Sequence, residues 1–157
     1  MNTIEGGVVA VEEIFAHMPL LRRLSNRQRT RLAGLATRHS YRPGQVIVRQ
    51  GDTSVSLYVV ISGSVRVERE GETGSSVHVA REGRGGFFGE MGLIDDAPRA
   101  ATVTAEEPTE CALLAKWDFQ TELRHDPDIT LTLLPILTQR IRELEARLAR
   151  EQTVAAI

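Results

Sequence analysis

The sequence predicts an α+β chain that is mainly β: an antiparallel β-roll of jelly-roll type, preceded by short helices and followed by a long C-terminal one. Three observations predict it. Between about His39 and Leu114, apolar and polar residues alternate in short runs set off by glycine. One glycine-rich insertion interrupts that rhythm. On either side of this middle, the apolar spacing changes to the helical period. The divisions that follow are N-terminal helices over 11–36, a roll over 37–115, C-terminal helices over 116–151 and a tail over 152–157, all within a single domain, 1–157.

The elements follow in order. Residues 11–17 read as one short helix, stopped before Pro19. Ser25 suits the N-cap of a second, running through Arg27, Leu32 and Leu35. Arg27, Arg29 and Arg31 read as a solvated basic face rather than a phosphate-binding patch. Strands are expected over 45–49, 57–61, 65–69, 77–80, 101–104 and 111–114, with Gly44, Gly51 and Gly63 at tight corners. Residues 85–94 hold too many glycines for a strand and are too few for an ordinary helix, so they read as a loop with a helical turn inside the roll. Residues 117–124 form an amphipathic helix whose Trp117 and Phe119 are expected to pack on core or roll. Asp126 caps the last helix, with Pro127 at its first position, and the helix runs to about Glu151. Pro135 lies inside it and is expected to kink or break it.

Composition narrows the function classes. At 157 residues, 41% hydrophobic and 25% charged, the chain can bury roughly 70% of its unfolded surface in one core. A net charge of −2 gives no sign of a nucleic-acid or membrane partner. The lone Cys111 excludes an internal disulfide, a four-cysteine zinc site and a cysteine-held iron–sulfur cluster; it reads as a small buried hydrophobe. His17, His39, His78 and His125 show no ligand spacing, so no metal is expected. No stretch approaches the roughly 18 apolar residues of a membrane span. Residues 1–11 lack a basic start and carry Glu5, a poor signal peptide, so a cytoplasmic protein is expected. No nucleophile–base pair is visible, and no enzymatic activity is expected.

The chemistry concentrates between Phe88 and Val103. Glycines and a short helical turn present backbone N–H groups of the kind that bind anions. Glu90 stands at the head of that turn, and Arg99 follows after Pro98. Ala100 and Ala101 allow close approach to the main chain. This set suits a ligand with one phosphate and a vicinal hydroxyl: Arg99 can fork onto the phosphate, and Glu90, which has no donor, can accept from the hydroxyl. In a free pocket the two could also stabilise each other.

Phe88-Gly89-Glu90-Met91-Gly92-Leu93-Ile94, followed by Pro98-Arg99-Ala100-Ala101-Thr102-Val103, closely resembles the phosphate-binding cassette of cyclic-nucleotide-binding domains, as found in catabolite activators and in regulatory subunits of cyclic-AMP-dependent kinase. Gly44, Gly51-Asp52, Leu57-Tyr58-Val59-Val60 and Ser62-Gly63 also stand where that family has turns and strands, and the resemblance covers about residues 12–150. It implies that Glu90 accepts from the ribose 2′-hydroxyl, that Arg99 pairs with the exocyclic phosphate oxygens, and that the amides of Gly89, Met91, Ala100 and Ala101 line phosphate or ribose. Ala100 lacks the hydroxyl that often serves guanine, which leans to cyclic AMP over cyclic GMP. The implied role is a sensor whose C-terminal helix responds to ligand and is read by an effector protein; the alternatives are an interaction module of the same fold that works without ligand, or the sensor fragment of a transcription regulator.

Two departures qualify the resemblance. Activators follow their long helix with a DNA-reading domain; this chain ends about there, so DNA recognition is not expected of it. Activators also read adenine with hydroxyl residues on that helix, where Leu144 and Glu145 stand here. Arg140 and Arg142 are candidates to cap the base instead; the alternative is that both are solvated or paired with acids. Leu134, Leu137, Ile141, Leu144 and Leu148 form a heptad seam that fits a parallel homodimer or, alternatively, packing on the chain's own roll.

Overall fold

A computed structural model describes residues 11–71 and 73–156, without the side chains at 76, 79 and 153–156. The signal-peptide reading of 1–11 therefore lies almost wholly outside the described residues. Among the described residues, eight strands form two four-stranded antiparallel sheets, one in the order β1-β8-β3-β6 and the other β2-β7-β4-β5. Their ranges are β1 Thr37–Tyr41, β2 Val46–Val48, β3 Ser56–Ser62, β4 Ser64–Glu70, β5 Ser76–Gly83, β6 Phe87–Phe88, β7 Thr102–Ala105 and β8 Thr109–Ala115. Residues 11–17 form helix α1; α2 is Asn26–Leu35, α3 Lys116–His125 and α4 Pro127–Ala156. A 3₁₀ turn, Met91–Leu93, sits inside the roll. The jelly-roll-like fold is the one the sequence predicts.

Local chemistry accounts for the joints. Gly44, Gly51 and Gly63 hold φ of +83°, +90° and +88°. At Gly63 a Cβ would stand 2.7 Å from the Thr109 Cα, so the hairpin requires glycine there. Ser25 and Gln28 complete a reciprocal capping box at the start of α2. Asp126 Oδ1 accepts from the Asp128 amide, and its Oδ2 accepts from Gln28 Nε2 at 3.1 Å, which ties α2 to the α3–α4 junction.

Two apolar clusters support the molecule. One packs the helices on the outer face of the roll: Phe15, Leu20, Leu32, Phe119, Ile129 and Leu133 meet Leu57, Leu114 and, from the 3₁₀ turn, Leu93. The other fills the roll with Tyr58, Val60, Val65, Val103 and Cys111. Cys111 is fully buried, and burial pushes its thiol up to about 12.

Several expectations are corrected. Arg29 does not join Arg27 and Arg31 on a solvated face; it is buried and donates to the carbonyls of Arg22 and Leu24 and to Asn26 Oδ1. Trp117, at the first turn of α3, points away from the core and is 63% exposed, whereas Phe119 is fully buried. The last helix is not broken at Pro135 and continues past Glu151 to Ala156. Proline removes only one helical hydrogen bond, and Leu133 and Ile136, both buried, anchor the helix on either side. Of the heptad seam, Leu137 packs against the helical cluster, while Leu134, Ile141, Leu144 and Leu148 are 52–56% exposed. No helix among the described residues is long and apolar enough to cross a membrane.

Candidate functional site

A cavity of about 500 Å³ opens beside the 3₁₀ turn. It is lined by Val48, Val67 and Val103 of the roll, by the segments 87–92 and 97–101, which bring in Glu90 and Arg99, and by Pro19 of the N-terminal turn and Arg140 of α4. Its size and its few convergent polar groups are those of a small-molecule site.

Arg99 is placed from three directions. Its amide donates to Asp52 O at 2.8 Å, and its carbonyl accepts from the Gly51 amide at 2.9 Å. These bonds bring the β2–β3 corner against the Pro98 turn, where Thr53 and Pro98 pair as an isolated bridge. The side chain turns inward and is 8% exposed. Its Nη2 donates to Ser56 O at 2.7 Å, and the guanidinium lies 5.4 Å from the Tyr58 ring centre. Tyr58 in turn stacks on Phe88 at 4.8 Å. Nη1 is buried without an acceptor. Burial lowers the pKa from its ordinary value, against a smaller opposing effect of Tyr58.

Gly89 makes that placement feasible. Its φ of +81° favours glycine, and a Cβ there would overlap Arg99 Nη1 and stand 2.9 Å from Ser56 O. Lys116, the first residue of α3, donates to Asp95 O and to Asp96 Oδ1, fastening the loop between the 3₁₀ turn and Pro98.

Glu90 stands just before the 3₁₀ turn and is 7% exposed. Its Oε1 accepts from Arg140 Nη2 at 2.7 Å. Arg140 Nη1 also reaches Met91 Sδ at 2.9 Å. Glu90 Oε2 is enclosed without a well-formed hydrogen bond. Burial raises the carboxyl pKa; Arg140 opposes the rise, with a smaller contribution from the Leu20 amide. Glu90 and Arg99 thus do not stabilise each other, since each has its own partner.

The structure brings together Gly89, Glu90, Met91, Arg99, Ala100, Ala101 and Arg140 around one cavity. It leaves Arg142, Leu144 and Glu145 exposed and outside the cavity lining. Sequence reasoning did not single out Ser56 or Tyr58, which orient Arg99, because strand alternation marks them only as roll residues.

With fold and cavity described, the class follows: the family model of the cyclic nucleotide-binding domain matches residues 38–126, and the chain belongs to that family. The cyclic AMP receptor protein of Thermus thermophilus is 37% identical over 111 residues, which cover 71% of this chain and 51% of the relative. A cAMP-dependent protein kinase regulatory subunit of Yarrowia lipolytica is 37% identical over 103 residues, 66% of this chain and 27% of the relative. The crystal structure of the N-terminal domain of a transcriptional regulator from Streptomyces coelicolor A3(2) superimposes with a TM-score of 0.76 at 28% identity, over 83% of this chain and 94% of that one. The chain spans between about a fifth and a half of the length of the curated relatives it matches.

Proposed function

We propose that this chain binds a cyclic purine nucleotide, cyclic AMP in preference to cyclic GMP, and passes the binding event on through α4. One observation carries the reading. The same cavity holds a buried guanidinium with an unpaired donor, Arg99 Nη1, and a buried carboxylate whose Oε2 lacks a well-formed hydrogen bond, Glu90. An unpaired buried polar group costs about 1–3 kcal/mol. A ligand with a phosphate and a vicinal hydroxyl would satisfy both groups at once. Arg99 takes the exocyclic phosphate oxygens, Glu90 takes the ribose 2′-hydroxyl, and the amides of Gly89, Met91, Ala100 and Ala101 line the cyclic phosphate. Ala100 offers no hydroxyl to a guanine amino group, which supports cyclic AMP.

Transmission follows from continuity. Leu93 belongs to the 3₁₀ turn of the site and, in the same cluster, packs with Phe119, Ile129 and Leu133 of α3 and α4. Ligand that draws in the 3₁₀ turn repacks that cluster and shifts the population of α4 positions. An effector protein, or a second copy of the chain along Leu134, Leu137, Ile141, Leu144 and Leu148, reads the shift.

Isothermal titration with cyclic AMP and cyclic GMP tests the binding. Cyclic AMP is expected to bind at micromolar strength or tighter, about −8 kcal/mol, and Arg99→Ala to weaken it at least about a hundredfold. Equal binding by Arg99→Ala overturns the role of Arg99. Amide hydrogen exchange tests transmission: protection in α4 is expected to change with ligand, and an unchanged α4 contradicts it.

A further inference from the structure

We propose that Arg140 is a positioning residue for Glu90: it holds the carboxylate through Oε1 and thereby leaves Oε2 as the atom that takes the ligand's ribose hydroxyl. The proposal rests on the pocket reading above and adds which oxygen and which helix carry the ribose contact. It also replaces the base-capping role that the sequence suggests for this residue.

The geometry is specific. The guanidinium is engaged at both ends, Nη2 on Glu90 Oε1 at 2.7 Å and Nη1 on Met91 Sδ at 2.9 Å, so it is fastened to two successive residues of the site. A guanidinium held by both nitrogens in this way is not free to lie over a base. Glu90 has no other cationic partner among the described residues, because Arg99 is committed to Ser56 O and the Tyr58 face. A buried carboxylate without a cation tends to take up a proton, and a protonated carboxyl accepts a hydroxyl less well. Arg140 is one-third exposed and Glu90 only 7%, so the ion pair joins a helix at the surface to a carboxylate inside the cavity. A single carboxylate therefore serves two partners: one oxygen belongs to α4 and the other to the ligand. The ribose hydroxyl and the position of α4 become coupled through one side chain.

The test separates this role from a general one. Cyclic AMP and 2′-deoxy cyclic AMP are titrated into the wild-type chain, Arg140→Met and Arg140→Lys, at one pH and one salt concentration. Wild type is expected to prefer the ribose form by about tenfold or more, the contribution of one hydrogen bond to a charged group. In Arg140→Met that preference should fall to within about threefold, through weaker binding of cyclic AMP alone. Binding of the deoxy form should stay within about twofold of wild type, which also shows that the variant is folded. Arg140→Lys keeps the charge but not the fork, and should recover part of the preference. The proposal is overturned if Arg140→Met keeps the wild-type preference, or if either variant loses both nucleotides equally. Failure of the wild type to bind either nucleotide overturns the pocket reading and this proposal together, whereas wild-type binding with an unchanged Arg140→Met preference overturns this proposal alone.

Discussion

The floor of the cavity and its outer wall are built on different principles. At the floor, Arg99 is fixed by main chain from two other segments: Gly51 and Asp52 clamp its backbone, and Ser56 O and the Tyr58 ring receive its guanidinium. At the wall, the one cationic partner of Glu90 among the described residues is the Arg140 side chain, which arrives from a helix whose residues 141–152 are exposed. Main-chain hydrogen bonds at a corner of the roll give way only if that corner opens, but a side-chain ion pair on an outer helix can open at little cost. The floor is suited to recognising the phosphate that every cyclic nucleotide shares. The wall is suited to responding.

Substitutions can break or sharpen that contrast. The largest effect is expected at Gly89. Gly89→Ala adds backbone strain of about 1–2 kcal/mol and displaces Arg99, so affinity for cyclic AMP should fall on the order of a hundredfold; retention of wild-type affinity in a titration would contradict the rigid floor. Glu90→Gln follows, with a loss of about tenfold, confined to nucleotides that carry a 2′-hydroxyl. Leu144→Asp should change affinity by less than about twofold, because Leu144 is exposed and outside the cavity. In sedimentation velocity it should shift any self-association toward monomer, and an unchanged profile removes the seam as a dimer contact. The smallest effect is expected at Trp117→Ala, within about 0.5 kcal/mol by denaturant unfolding. Cys111 adds a null of the same kind: fully buried, with its thiol pushed up to about 12, it should resist a thiol reagent at pH 8 until the chain unfolds.

The sequence showed more of the floor than of the wall, for physical reasons. Gly89 and Arg99 lie within eleven consecutive positions whose glycines and small residues leave a local signature. The β-roll was legible because alternation and turn glycines are also local. Strand β1 was not singled out, since its exposed, polar Thr37-Arg38-His39-Ser40 has no alternation, and β6 is two residues inside a glycine-rich loop. Arg140 and Arg142 were equivalent as sequence. They differ because residues two apart on a helix point in nearly opposite directions, and only the docking of α4 decides which one faces Glu90. Arg29 misled for a similar reason: its guanidinium turns back onto carbonyls of the preceding turn, a contact that charge patterning does not encode.

The central claim is that one cavity holds phosphate at Arg99 and ribose at Glu90. It is tested most directly by a crystal structure of the chain with cyclic AMP. A phosphate oxygen is expected within about 3 Å of Arg99 Nη1 and the 2′-hydroxyl within about 3 Å of Glu90 Oε2. A nucleotide bound with its phosphate away from Arg99, or its ribose away from Glu90, would contradict it.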